Sequence, residues 1–232
     1  MKSDVMPPQD PRFQTPSAKM PAHQAVYAKL RVMILFGDLA PGQAVTIQGL
    51  TETLNVGMTP VREALRRLVA EGALTLQDNR RVSVPALSQS CAQELGFMRK
   101  TLEPELASRA ARRMTPDILT SLKRFDDDLN HAIAQGDVGG YLTHNYRFHA
   151  LIYDTAAAPI IAATVDRLWL RFGPSLRVVC GRFGTSNLPD RHQDLLDAFQ
   201  QRDAKAAATA MAEDVMQGVQ QIDTALAEAV VT

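Results

Sequence analysis

Cysteine is nearly absent. Only Cys91 and Cys180 occur in 232 residues, and neither belongs to a CxxC pair. A disulfide framework and a zinc knuckle are therefore excluded, and a reducing cytoplasm is the expected setting. Neither sign of charge is in excess, with 25 basic and 25 acidic residues, so any contact with nucleic acid has to come from a local patch. Long apolar runs are missing as well. The most apolar stretch, ALIYDTAAAPIIAATV, is broken by Asp154 and Pro159, whereas a membrane-crossing helix needs about 20 apolar residues. No membrane partner is expected. The first 21 residues hold five prolines and no apolar core, which predicts a disordered tail over 1–21 and not a signal peptide. What is present is a 46% hydrophobic share beside 22% charged residues, enough apolar material for real cores, and a length that suits two domains.

From His23 to Phe36, Val26, Leu30, Met33 and Ile34 recur at helical spacing, and GDLAPG then supplies turn chemistry. A second short helix fits TIQGLTETLN, capped by Thr46 and ending at Asn55, with Ile47, Leu50 and Leu54 on one face. A third is expected to take Thr59 as N-cap and Pro60 as its first residue, where a missing N–H costs nothing. Its stripe Val61, Ala64, Leu65, Leu68 and Val69 is continuous, and Gly72 closes it. TLQDNRRVSV reads as a hairpin turning at Asp78 and Asn79. Three helices followed by a hairpin describe a winged helix-turn-helix over residues 22–87.

The polar face of that third helix carries Arg62, Arg66 and Arg67, with Thr59 at its start and Arg80 and Arg81 at the wing tip. Arginines one turn apart offer forked donors to base edges and phosphates, and a helix N-terminus offers backbone N–H groups to phosphate. Taken alone, such a face reads equally well as solvated surface. Within residues 22–88, however, five of the seven basic residues fall on this helix or the wing, which favours a DNA-reading role for Thr59, Arg62, Arg66, Arg67 and Arg81.

After Pro85 the pattern becomes uniformly helical, with breaks at MTPD, QGDVGG, GTSNLP and QRD. About six helices over 88–230 predict an all-α bundle able to enclose a cavity, so the fold class expected for the whole chain is mainly α. Asn145 and His149 are four residues apart on one helix and share a face; His192 opens a later helix and Asp214 lies in the last. If they converge, one amide oxygen, two imidazoles and a carboxylate suit a divalent cation such as zinc, nickel or manganese. Isolated histidines on apolar helices are also ordinary hydrogen-bonded core residues, so spacing leaves both readings open. His144 is expected on the surface, about 100° around the helix from Asn145. Arg99 and Glu103, at i and i+4, read first as an intrahelical ion pair.

The segment PGQAVTIQGLTETLNVGMTPVREALRRLVAEGAL, with its TPVREAL string, resembles the GntR family of winged-helix regulators. MRKTLEPELASRAA, NYRFHALIYDTA and RHQDLLDAFQQRDAKAAATAMAEDV are similar to the FCD effector domain of that family's FadR branch. The resemblance spans both halves. It implies a homodimer that sets two recognition helices on an inverted repeat of double-stranded DNA, with Arg62 and Arg66 as contacts. It also implies a small carboxylate effector in the helical domain, bound by Arg99, Asn145, His149 and His192, beside a metal held by Asn145, His149, His192 and Asp214. Its RxxLE pattern matches Arg99, Leu102 and Glu103 and implies an inward-facing arginine for the effector carboxylate.

Three departures stand out. Gly57 and Met58 replace the family's usual Ser-Arg before TPVREAL, which implies a different half-site in which Met58 meets a thymine methyl. The wing glycine is missing near Arg81. Asn145 stands where an Asp is usual and Asp214 where a third His is usual, so one carboxylate is kept but moved; either the cation is retained or these groups bind the effector directly. The function expected is a DNA-binding transcription regulator, a repressor, switched by a small organic acid. Its rivals are a dimeric DNA-binding scaffold without ligand and a metal-dependent hydrolase.

Overall fold

The computed structural model describes residues 20–77, 81–183 and 190–231. Most of the expected tail, the hairpin turn at Asp78 and Asn79, Arg80 and the GTSNLP break lie outside them.

Helix α1 (Ala22–Leu35) buries Val26, Leu30 and Ile34. Helix α2 (Ile47–Leu54) begins where Thr46 accepts the Gly49 N–H at 3.0 Å and ends at Asn55, in the left-handed region with φ 52°; both ends follow from cap chemistry. Helix α3 (Met58–Ala70) starts earlier than expected. Its N-cap is Gly57, with no side-chain cap, and Thr59 and Pro60 are its second and third residues. Pro60 is tolerated there because none of the first four N–H groups has a helical acceptor. Gly72, at φ +74°, ends the run.

Strands β2 (Thr75–Leu76) and β3 (Val82–Ser83) form the wing, but β3 is also paired on its other edge with β1 (Ala44–Val45), a strand not foreseen. The register sets Ala44 and Thr75 both opposite Ser83, and the small sheet ties the chain before α2 to the chain after α3.

Among the described residues the second unit has six helices: α4 (Gln89–Arg113), α5 (Pro116–Gln135), α6 (Val138–Thr155), α7 (Pro159–Phe183), α8 (Arg191–Gln200) and α9 (Ala204–Val231). The starts of α4, α5, α6 and α8 are set by Ser88, Thr115, Asp137 and Asp190, each accepting the backbone N–H of its helix's third residue. α4 packs along α9, α5 along α6, and α8 against α9. Among the described residues, no helix is long and apolar enough to cross a membrane.

The head and the bundle share a contiguous core, because α1 lies on α7. At their crossing a side chain on Gly173 would run into the carbonyl oxygen of Leu35, so the two backbones approach only because Gly173 has none.

Candidate functional site

The exposed face of α3 presents Met58, Thr59, Arg62 and Arg66 together. Arg62 and Arg66 are held by no ion pair among the described residues, and Met58 is 59% exposed, unusual for a large apolar side chain. Arg67 is engaged otherwise. Its Nε donates to Glu71 at 3.0 Å and its guanidinium carbon lies 3.7 Å from the centre of the Tyr27 ring, while the Tyr27 hydroxyl donates to the same carboxylate at 2.7 Å. Arg67 thus fastens the end of α3 to α1. Arg81 is exposed beside β3, on the wing.

All six bundle helices contribute to one cavity of about 290 Å³. From α6, the i, i+4 spacing turns Asn145 and His149 into it, both more than nine-tenths buried. α8 delivers His192 and α9 delivers Asp214. Nε2 of His149 is 3.2 Å from one Asp214 oxygen, and Nε2 of His192 is 4.0 Å from the other. Phe148 stacks on the His192 ring at 4.0 Å and 7°. Burial alone would push the Asp214 carboxyl up, but the histidines, His149 first, and Arg99 draw it down to about 2, so it remains an anion at any physiological pH.

His149, His192 and Asp214 each offer one ligand atom, all within 4.8 Å of one another. Bonds of about 2.1 Å to a common cation set neighbouring ligand atoms roughly 3–4 Å apart, and two imidazoles with a carboxylate are a zinc-type donor set. The residues fit such an ion. Asn145 lines the same cavity, with its amide uncommitted among the described residues. Behind His192 stands Asp126 of α5, whose Oδ1 is 3.0 Å from Nδ1 of that ring. Sequence reading missed Asp126, which stands in the acidic run Asp126, Asp127, Asp128; its burial against His192 of α8 separates it from its neighbours. The Nδ1 of His149 is buried and has no such support among the described residues.

Arg99 points inward and is 2% exposed. It forms the expected pair with Glu103, Nε at 2.5 Å and Nη2 at 3.3 Å, so one edge of its fork is already filled. Tyr153 donates to Glu103 at 2.6 Å and Trp169 donates to Tyr153 at 3.1 Å. The guanidinium lies between the Trp169 and Phe172 rings, at 4.3 and 4.4 Å. Burial works against its charge, but Glu103 more than offsets this and holds it firmly protonated. Nη1 takes no part in the fork with Glu103. His144 is partly buried, 3.7 Å from Asp128, and outside the cluster, whereas His23 and His131 are exposed.

Residues 22–84 match the model of bacterial regulatory proteins of the gntR family, and residues 94–216 match the FCD domain. The chain is 28% identical to the HTH-type transcriptional regulator McbR of Escherichia coli K12, over 82% of its own length and 87% of that protein's. It is 26% identical to the repressor RspR of the same organism, over 87% and 90%. The solved structure of E. coli McbR superposes with a TM-score of 0.82 at 27% identity, covering 88% of this chain and 97% of that one. A putative GntR regulator from Rhodococcus sp. RHA1 shares the fold at 22% identity, with a TM-score of 0.71 over 86% and 96%. These relatives are transcription regulators and not enzymes, which removes the hydrolase alternative. The chain belongs to the FCD-domain branch of the GntR family of DNA-binding transcription regulators.

Proposed function

We propose that the protein is a cytoplasmic repressor that binds an inverted-repeat operator as a homodimer and is released by a small organic acid seated in the bundle cavity. The observation that carries this reading is the convergence of His149, His192 and Asp214 on one point of a cavity in the bundle, whose wall also includes Arg99 and Asn145. A divalent cation held there by the two Nε2 atoms and the Asp214 carboxylate would supply positive charge for a carboxylate. Without it, Asp126 and Asp214 leave the cavity unfavourable to anions. Arg99 orients the acid from the aromatic side, and Asn145 adds a neutral donor and acceptor. The cavity, at about 290 Å³, is at the small end of ligand pockets, which favours compact acids. The regulatory role is supported by family membership, and repression by the likeness to RspR. Thr59, Arg62, Arg66 and Arg81 are the proposed DNA contacts, with Arg67 behind them as their support.

The test combines elemental analysis of the purified protein with melting in a panel of small organic acids, for the unmodified chain and His149→Ala/His192→Ala. Metal and acid-dependent stabilisation should both disappear in the double variant. Stabilisation without any metal would assign the acid to Arg99 and Asn145 alone, and no response to any acid would leave a ligand-free scaffold.

A further inference from the structure

Asp166, on α7, is bonded from two directions at one oxygen. Its Oδ1 accepts Nη2 of Arg31, on α1 of the DNA-reading head, at 2.8 Å, and it also accepts the hydroxyl of Tyr146, on α6 of the bundle. The contact is largely enclosed, with the side chains of Arg31 and Asp166 17% and 16% exposed.

Each donor leads further. Tyr146 directly follows the cavity residue Asn145, and its ring meets Trp169 edge-on at 5.5 Å. Trp169 lines the cavity, 5.3 Å from the His149 ring and 4.3 Å from the Arg99 guanidinium. On the other side Arg31 lies 6.0 Å from the Tyr27 ring, the ring that carries Arg67 of the recognition helix. The head is clamped nearby by Phe36 against Tyr146 and by Arg177 donating to the Phe36 carbonyl at 3.2 Å. Those contacts hold the head; the Asp166 oxygen is where a hydrogen bond from the head and one from a cavity-wall helix end on the same atom.

We propose that Asp166 is a positioning residue through which the state of the cavity is transmitted to the recognition helix. Close-packed contacts of this kind change between discrete arrangements and do not deform smoothly. A cavity ligand that moves Trp169 would displace Tyr146, shift the shared oxygen and redirect Arg31 and the Tyr27–Arg67 unit behind α3. The inference rests on the regulatory reading above for the direction of use, but not for its test. Coupling is reciprocal, so DNA bound at the head must disturb Trp169 with no effector present. Trp169 is the sole tryptophan in the chain, and its emission reports the cavity wall alone.

The experiment uses the full chain and a duplex selected by this protein from a randomised pool. Saturating duplex should change Trp169 emission in the unmodified protein. In Asp166→Asn, and independently in Arg31→Gln, that change should fall below about half while duplex affinity stays within about threefold. Two variants on opposite sides of the contact keep the test valid if one folds poorly. An emission response of full size in both variants, or none in the unmodified chain, would overturn the proposal. Titration with zinc chloride alone, without DNA, tests the cavity separately. Equal zinc response in the unmodified chain and Asp166→Asn, with duplex affinity shifted by zinc only in the former, is the expected pattern. A cavity indifferent to zinc and to acids sinks the effector reading and leaves the duplex result to decide the role of Asp166.

Discussion

Oδ1 of Asp126 lies 3.0 Å from Nδ1 of His192, and both side chains are more than nine-tenths buried. A carboxylate there accepts from Nδ1–H and orients the ring, which leaves Nε2, on the Asp214 side, as the atom that would meet a metal ion. Its second oxygen accepts the Asn130 amide at 3.3 Å, which fixes its own orientation. Asp126→Ala should lower zinc affinity about 10- to 100-fold, measured by competition with a chelator. Asp126→Asn, which keeps an acceptor oxygen without the charge, should fall between. Unchanged affinity in Asp126→Ala would mean that stacking on Phe148 orients the ring unaided.

The exposed arginines of α3 divide by their partners. Arg62 and Arg66 have no ion pair among the described residues, whereas Arg67 is spent on Glu71 and Tyr27. Arg62→Ala and Arg66→Ala should each cost about 1–3 kcal/mol of operator binding if they read a base, or reduce the salt slope by about one if they meet a phosphate. Arg67→Ala should instead lower the melting temperature by the loss of a cation–π contact and a half-exposed ion pair, about 1 kcal/mol together. Titrations at several salt concentrations separate these outcomes. An Arg67→Ala variant as defective as Arg62→Ala at unchanged stability would count against this division.

Met58 is left exposed at the start of that helix, four residues before Arg62. The apolar group that the major groove offers is the thymine methyl. Replacing each thymine of the selected duplex in turn by uracil removes the methyl and nothing else. One position per half-site should weaken binding about fourfold, on the order of one buried CH₂, and that loss should vanish in Met58→Ala. Equal losses in both proteins would assign the methyl contact elsewhere.

What the sequence made legible was local chemistry. Thr46 and Asn55 bound α2 because a side-chain acceptor and a left-handed residue leave recognisable marks, and the six bundle helices follow from their breakers. β1 was missed because two residues, Ala44 and Val45, are too few to show alternation. The start of α3 was misplaced since Pro60 suits the first and third helical positions equally. At the site, Asn145 with His149 was readable from spacing on one helix, but their meeting with His192 and Asp214 rested on resemblance. Asp126 and Asp166 act across 66 and 135 residues of chain, and no local pattern reports that.

Acid acts on the cluster through Asp214. In the metal-free protein the Asp214 carboxyl, ordinarily near 3.8, is drawn down to about 2 against the effect of burial, by His149 first and then by His192 and Arg99. A carboxyl depressed on folding adds stability that is fully present above its unfolded value and is lost as pH falls through its folded one. The window is therefore about pH 4 to 2, and a shift of this size is worth about 2 kcal/mol. Urea midpoints of the metal-free chain and of Asp214→Asn, followed from pH 5 to pH 2, should differ most at pH 5 and converge toward pH 2. A constant gap between the two curves would mean that the Asp214 charge contributes nothing through these histidines, and that the cluster is held by packing alone.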